Sequence, residues 1–116
     1  MVITKQQKRK VHEMAMEYTV KELDNDKEII VTGDITFKDH SRFFEVINLI
    51  KAAKNGRVWL NFGGVEFIDS AALGMLVIAN EEGADNDVEV IIKNAGGKVR
   101  STMELASFDK LFNFEN

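Results

Sequence analysis

The sequence predicts an α/β fold: a mixed β-sheet of about four strands with helices packed against it. Three features lead there. Apolar residues alternate with polar ones early in the chain, and from Asp39 they recur at helical spacing instead. Strand-like and helix-like segments then take turns, giving the order strand, strand, helix, strand, helix, strand, helix. The first two strands are joined by a short polar turn and should pair as a hairpin, whereas strands separated by helices should run parallel through right-handed crossovers.

Each element has its own signal. Met14, Met16, Tyr18 and Val20 alternate with Ala15, Glu17, Thr19 and Lys21, the period of a half-buried strand. "LDNDKE" is polar and turn-forming, and "IIVTGDI" reads as the second strand. Phe43, Val46, Ile47 and Ile50 fall on one helical face, with Asn55-Gly56 as the stop. "RVWLNF" is the third strand, centred on Val58, Trp59 and Leu60, after which Gly63-Gly64 lets the chain turn. Val65 to Ile68 leads into a helix predicted over residues 71–82 and ended by Gly83. "VEVII" is the next strand, and Asn94 to Gly97 form a loop. Val99, Met103 and Ala106 mark the last helix, followed by an aromatic tail with Phe108, Leu111, Phe112 and Phe114.

Composition bounds the function. The chain of 116 residues is 45% hydrophobic and 29% charged, the balance of a folded domain with one core. A net charge of −4 argues against a dedicated nucleic-acid binder. The local exception is "KQQKRK", residues 5–10, inside an N-terminal tail (1–13) expected to be flexible; residues 14–116 form the single domain. Without cysteine there is no disulfide, thiol chemistry or cysteine-based zinc site. No apolar run reaches the roughly 18 residues of a membrane span, so a soluble, cytoplasmic protein is expected.

No catalytic constellation stands out, so the chain is expected not to be an enzyme and to need no cofactor. His12 and His40 have no metal-ligand spacing, and Ser70 has Asp69 beside it but no histidine or lysine evidently placed as its base. "AGGKVRS" lacks the spacing of a phosphate-binding loop and reads as a plain loop before a helix.

Attention therefore falls on "VEFIDSAALGMLVIAN", where Asp69-Ser70 interrupts an apolar run. Ser70 reads as the cap of the following helix, accepting hydrogen bonds from first-turn N–H groups, and Asp69 could do the same. A helix N-terminus also tolerates a phosphate, because its free donors and partial positive charge face the added anion. Leu73, Leu76 and Val77 share the expected core side of this helix. Ala71, Met75 and Ile78, with Glu82, lie nearly opposite, as either a patch for a partner or a side buried under another element.

These residues carry a resemblance. "GGVEFIDSAALGMLVIAN" resembles the signature of STAS domains, the anti-sigma factor antagonist family, whose usual form is a strand, "FIDSSGLG" or similar, then a helix. "IIVTGDITF" is similar to the family's second strand and turn, and "VEVIIKNAGGKVRSTMELASFDKLFNF" to its closing strand and helix. The resemblance implies the STAS fold and a partner switch. Ser70 would be phosphorylated by an ATP-dependent serine kinase, often itself the anti-sigma factor, and dephosphorylated by a PP2C-type phosphatase. Only the unmodified form would capture its partner, through a surface comprising Asp69, Ala71, Met75 and Ile78. Ala71 and Ala72 depart from the family's usual Ser/Thr and Gly. The "DSAALGML" form resembles stand-alone bacterial members tied to response-regulator phosphatases. The alternative is a constitutive, unphosphorylated STAS subunit of a transporter or other complex.

Overall fold

The computed structural model describes residues 14–116. The basic stretch at residues 5–10 and the rest of the N-terminal tail lie outside the described residues. Ten elements follow one another in the described chain. They are β1 (Glu17–Leu23), β2 (Asp26–Ile35), a 3-10 turn (Phe37–Asp39), α1 (His40–Ala52), β3 (Arg57–Ile68) and α2 (Ser70–Asp85). After these come β4 (Glu89–Lys93), α3 (Gly97–Leu105), a second 3-10 turn (Phe108–Lys110) and β5 (Asn113–Glu115).

The strands form one mixed sheet in the order β1-β2-β3-β4-β5. β1 and β2 are an antiparallel hairpin whose register ends at Leu23↔Asp26, with Asp24 turning the chain at φ 59°. β2, β3, β4 and β5 are mutually parallel. Each parallel step is in the same direction across the sheet, so right-handed crossovers place all three helices on one face. That face is the core. Ile29, Val31, Val58, Leu60, Phe62, Val90 and Ile92 point into it and meet Phe43, Val46, Ile47 and Ile50 of α1, Leu76 of α2, and Val99 and Met103 of α3.

The opposite face of the sheet combines Ile30, Trp59 and Ile91 with a self-paired polar network. Asn61 donates to Glu28 at 2.8 Å and Lys93 lies 3.4 Å from the same carboxylate, linking β2, β3 and β4. The hydrogen bond from Asn61, with Lys93 and Lys21 nearby, outweighs burial and holds the Glu28 carboxyl below its ordinary pKa. Trp59 donates to Glu115 at 3.1 Å and lies under the Arg57 guanidinium.

The structure corrects the sequence reading in three places. The sheet has five strands rather than about four, because the aromatic tail ends in β5, paired with β4 at Ile92↔Phe114. Gly63-Gly64 makes no turn: β3 continues through it, and the β2–β3 register shifts there between Ile30 and Thr32. The pair absorbs a bulge inside a strand of 12 residues. Of the first alternating series, Met16 is in the core but Met14 and Val20 are exposed, since β1 is an edge strand that starts at Glu17.

Candidate functional site

The site lies at the carboxyl ends of β2 and β3, the place where open α/β sheets present their loops. Ile35 and Ile68 are register partners at the last step of the two strands. The loops beyond them therefore emerge side by side, and each begins a helix. The Asp69 N–H donates to the Ile35 carbonyl at 3.2 Å, tying the second loop to the first strand.

Asp69, not Ser70, is the cap of α2. Its backbone is extended (φ −100°, ψ −179°), and its carboxylate accepts from the Ala72 N–H at 2.8 Å. The other carboxylate oxygen accepts from the Phe37 N–H at 3.1 Å, so one side chain fastens both loops. Ser70 is the first helical residue and is exposed. With the cap supplied by its neighbour, its hydroxyl stands at the positive end of a helix of 16 residues, where orphan N–H groups gather.

The neighbouring loop is built differently. Thr36 caps the 3-10 turn, and the Asp39 carboxylate receives the Thr36 N–H at 2.9 Å and the Met16 N–H at 3.1 Å. The turn is thereby locked, yet Phe37 at its start remains 64% exposed. Phe37 stacks on His40 with ring centroids 5.0 Å apart, and the His40 ring nitrogen meets the Phe37 carbonyl at 2.9 Å. An exposed aromatic ring held rigid beside Asp69 gives the site an apolar shoulder.

The flank of α2 expected to be an open patch is divided. Met75 is only 6% exposed and belongs to the core cluster. The reason is the shared face of the crossovers: α1 lies beside α2, and Glu82, on the same flank as Met75, reaches Lys51 of α1 at 3.8 Å. The fully buried stripe runs through Ala72, Leu76 and Ala79 to Gly83, while Leu73 and Val77, expected on the core side, are only partly buried. What faces solvent is Ser70, Gly74 and Ile78 at successive helical turns, with Ala71 half-buried beside them.

Of the residues singled out in the sequence, Ser70 and Ile78 are exposed, Asp69 and Ala71 are half-buried, and Met75 is in the core. Phe37 lies in a loop with no periodicity to read, and Gly74 is a helix-weakening residue on an exposed face. Among the described residues no group of three acidic or histidine side chains could hold a metal ion, and no helix is long and apolar enough to cross a membrane.

Comparison with known proteins agrees with this architecture. A candidate anti-sigma factor antagonist from Thermotoga maritima has 20% sequence identity and a TM-score of 0.72, with 85% of this chain and 86% of that one covered. An anti-sigma factor antagonist from Mycobacterium paratuberculosis has 22% identity and a TM-score of 0.69, with 87% and 86% covered. The Bacillus cell fate determinant SpoIIAA, in its phosphorylated form, has 14% identity and a TM-score of 0.65, with 86% and 92% covered. At such identities the likeness is one of fold. The sequence itself matches the STAS domain family across residues 17–116, nearly all of the described chain, and the protein belongs to that family.

Proposed function

We propose that this domain is a partner-switching module in which Ser70 is the regulatory phosphorylation site. Unphosphorylated, it captures a serine kinase of the anti-sigma factor type or another regulator; phosphorylated, it is released, and a PP2C-type phosphatase resets it. The observation that carries this reading is the division of labour at the hinge. Asp69 performs the capping, which leaves the Ser70 hydroxyl exposed and free of a structural duty. Phosphate there adds about −1.5 to −2 charges at neutral pH next to the Asp69 carboxylate, while the helix N-terminus limits the cost to the fold. The added charge sits at the edge of the apolar strip formed by Phe37, Ala71 and Ile78, where it opposes an apolar or acidic partner surface. A Bacillus protein of this fold has a phosphorylated form, which supports carrying the same chemistry to Ser70.

The test pairs Ser70→Ala and Ser70→Asp. Both should leave stability within about 0.5 kcal/mol of wild type, since the residue is exposed and does not cap. Incubated with its kinase and labelled ATP, wild type should incorporate phosphate and Ser70→Ala should not. In calorimetric titration with that kinase, Ser70→Ala should match unmodified wild type and Ser70→Asp should bind at least tenfold more weakly. Equal affinity of the two variants would end the gating model.

A further inference from the structure

We infer that the outer edge of β1 is a docking surface for a second copy of this chain, joining two sheets by antiparallel β1–β1 pairing. Among the described residues the two edges of the sheet are unequal. β5 has three residues, too short to template much pairing, whereas β1 has seven in an unbroken register with β2. β1 has no proline and no bulge and exposes apolar Val20 and Leu23, and its charged residues Glu17, Lys21 and Glu22 are of both signs.

The charge pattern of β1 selects the occupant. Place a two-fold axis through Thr19, perpendicular to the sheet so that both helical layers stay on the same side. Glu17 then faces Lys21 of the second copy, Tyr18 faces Val20, Thr19 faces Thr19, and the same pairs repeat on the other side of the axis. Opposite charges, aromatic with β-branched, and threonine with threonine are the favourable cross-strand pairs. Moving the axis to Val20 sets Tyr18 against Glu22 and Glu17 against Leu23; moving it to Lys21 sets Lys21 against itself. One register alone of these three is self-complementary. Glu17 can serve it because its side chain stays 68% exposed while one carboxylate oxygen pairs with Arg42 at 2.8 Å.

Pairing in this register makes a continuous sheet of both copies without covering the Ser70 end of α2, and does not depend on the switch proposed above. The contact is a single strand edge, well below the roughly 1,200 Å² of a standard interface, so the dimer is weak and reversible.

Sedimentation velocity of the full chain over a concentration series tests the inference. Wild type should show concentration-dependent dimers. Lys21→Glu and Glu17→Lys should each weaken association about tenfold, because two attractive pairs become two repulsive ones. Mixing the two variants one to one should restore it, since every copy then meets an opposite charge at both positions. Circular dichroism melts matching wild type establish that both variants fold. In hydrogen exchange, the β1 amides of wild type should slow as concentration rises. A wild type that stays monomeric, variants that dimerise as wild type does, or a mixture no better than its parts would each overturn the β1 register.

Discussion

The two halves of α2 obey different rules, and Gly74 and Gly83 show it most clearly. A Cβ on Gly83 would stand 2.9 Å from the Val90 side chain and 3.1 Å from the Val88 carbonyl oxygen, so close packing of helix on strand requires the glycine. A Cβ on Gly74 would meet nothing within 4 Å. Glycine inside a helix costs about 1 kcal/mol relative to alanine, and at Gly74 nothing in the fold recovers that cost. The same contrast holds for polar residues. Glu82 pairs with Lys51, and Asn86 donates to the Glu82 carbonyl at 2.8 Å to finish the helix. Ser70 at the other end has no comparable task. Gly83, Glu82 and Asn86 at the C-terminal end have tasks in the fold. Ser70 and Gly74 on the exposed flank of the N-terminal half have none, although Ala72, Met75 and Leu76 of that half are in the core. Under the function proposed above, the second group is a surface kept open for a partner.

The largest effect should come from the packed half. Gly83→Leu must push a side chain into Val90 and a backbone carbonyl that cannot retreat, lowering unfolding free energy by about 3 kcal/mol. Urea denaturation checks this, with the midpoint moving and the slope unchanged. A loss as small as that of an ordinary surface change would break the contrast between the two glycines.

Asp69 separates fold from function within the other half. Asp69→Ala removes the acceptor of the Ala72 N–H and of the Phe37 N–H together, costing about 2 kcal/mol. Asp69→Asn keeps the oxygen that caps Ala72 but sets an amide NH2 against the Phe37 N–H, so it should cost about 1 kcal/mol, less than Asp69→Ala. Its kinase binding therefore reports on the charge of Asp69 and its tie to the Phe37 loop, with the cap of α2 retained. Equal stability of the two variants would remove Asp69 from the cap.

The parts of this molecule that could be foreseen are those whose cause is local. Phe43, Val46, Ile47 and Ile50 announce α1 because one helical face must be apolar wherever the helix packs, and all four are buried. β5 was not foreseeable: a strand of three residues shows no period, and the partner of Phe114 is Ile92, far away in sequence. Gly63-Gly64 has the composition of a turn, yet pairing with β2 holds it extended. The choice between Asp69 and Ser70 as cap could not be made from residue type, since both side chains accept hydrogen bonds. It is made by backbone geometry, extended at Asp69 and helical from Ser70. Met75 was misplaced for a related reason: which flank of a doubly apolar helix is covered depends on where α1 lies. The role proposed for Ser70 rests on resemblance to a family and on its exposed place beside the cap.

The smallest expected effect is the most discriminating. Gly74→Ala should raise stability by up to about 1 kcal/mol, because alanine is the better helix former and its methyl group meets no neighbour. A domain of this size should then melt several degrees higher. If the exposed line of Ser70, Gly74 and Ile78 is where a partner lies close against the helix, the added methyl group intrudes at that contact. Partner affinity should fall while stability rises, a pair of opposite signs that damage to the fold cannot produce. Thermal melts and calorimetric titrations on the same preparation read both quantities. Ile78→Ala supplies the control, since loss of a 37% exposed apolar side chain should weaken binding with little change in melting. Gly74→Ala that melts higher and binds as tightly as wild type would move the partner off this half of α2 and leave its glycine without a reason.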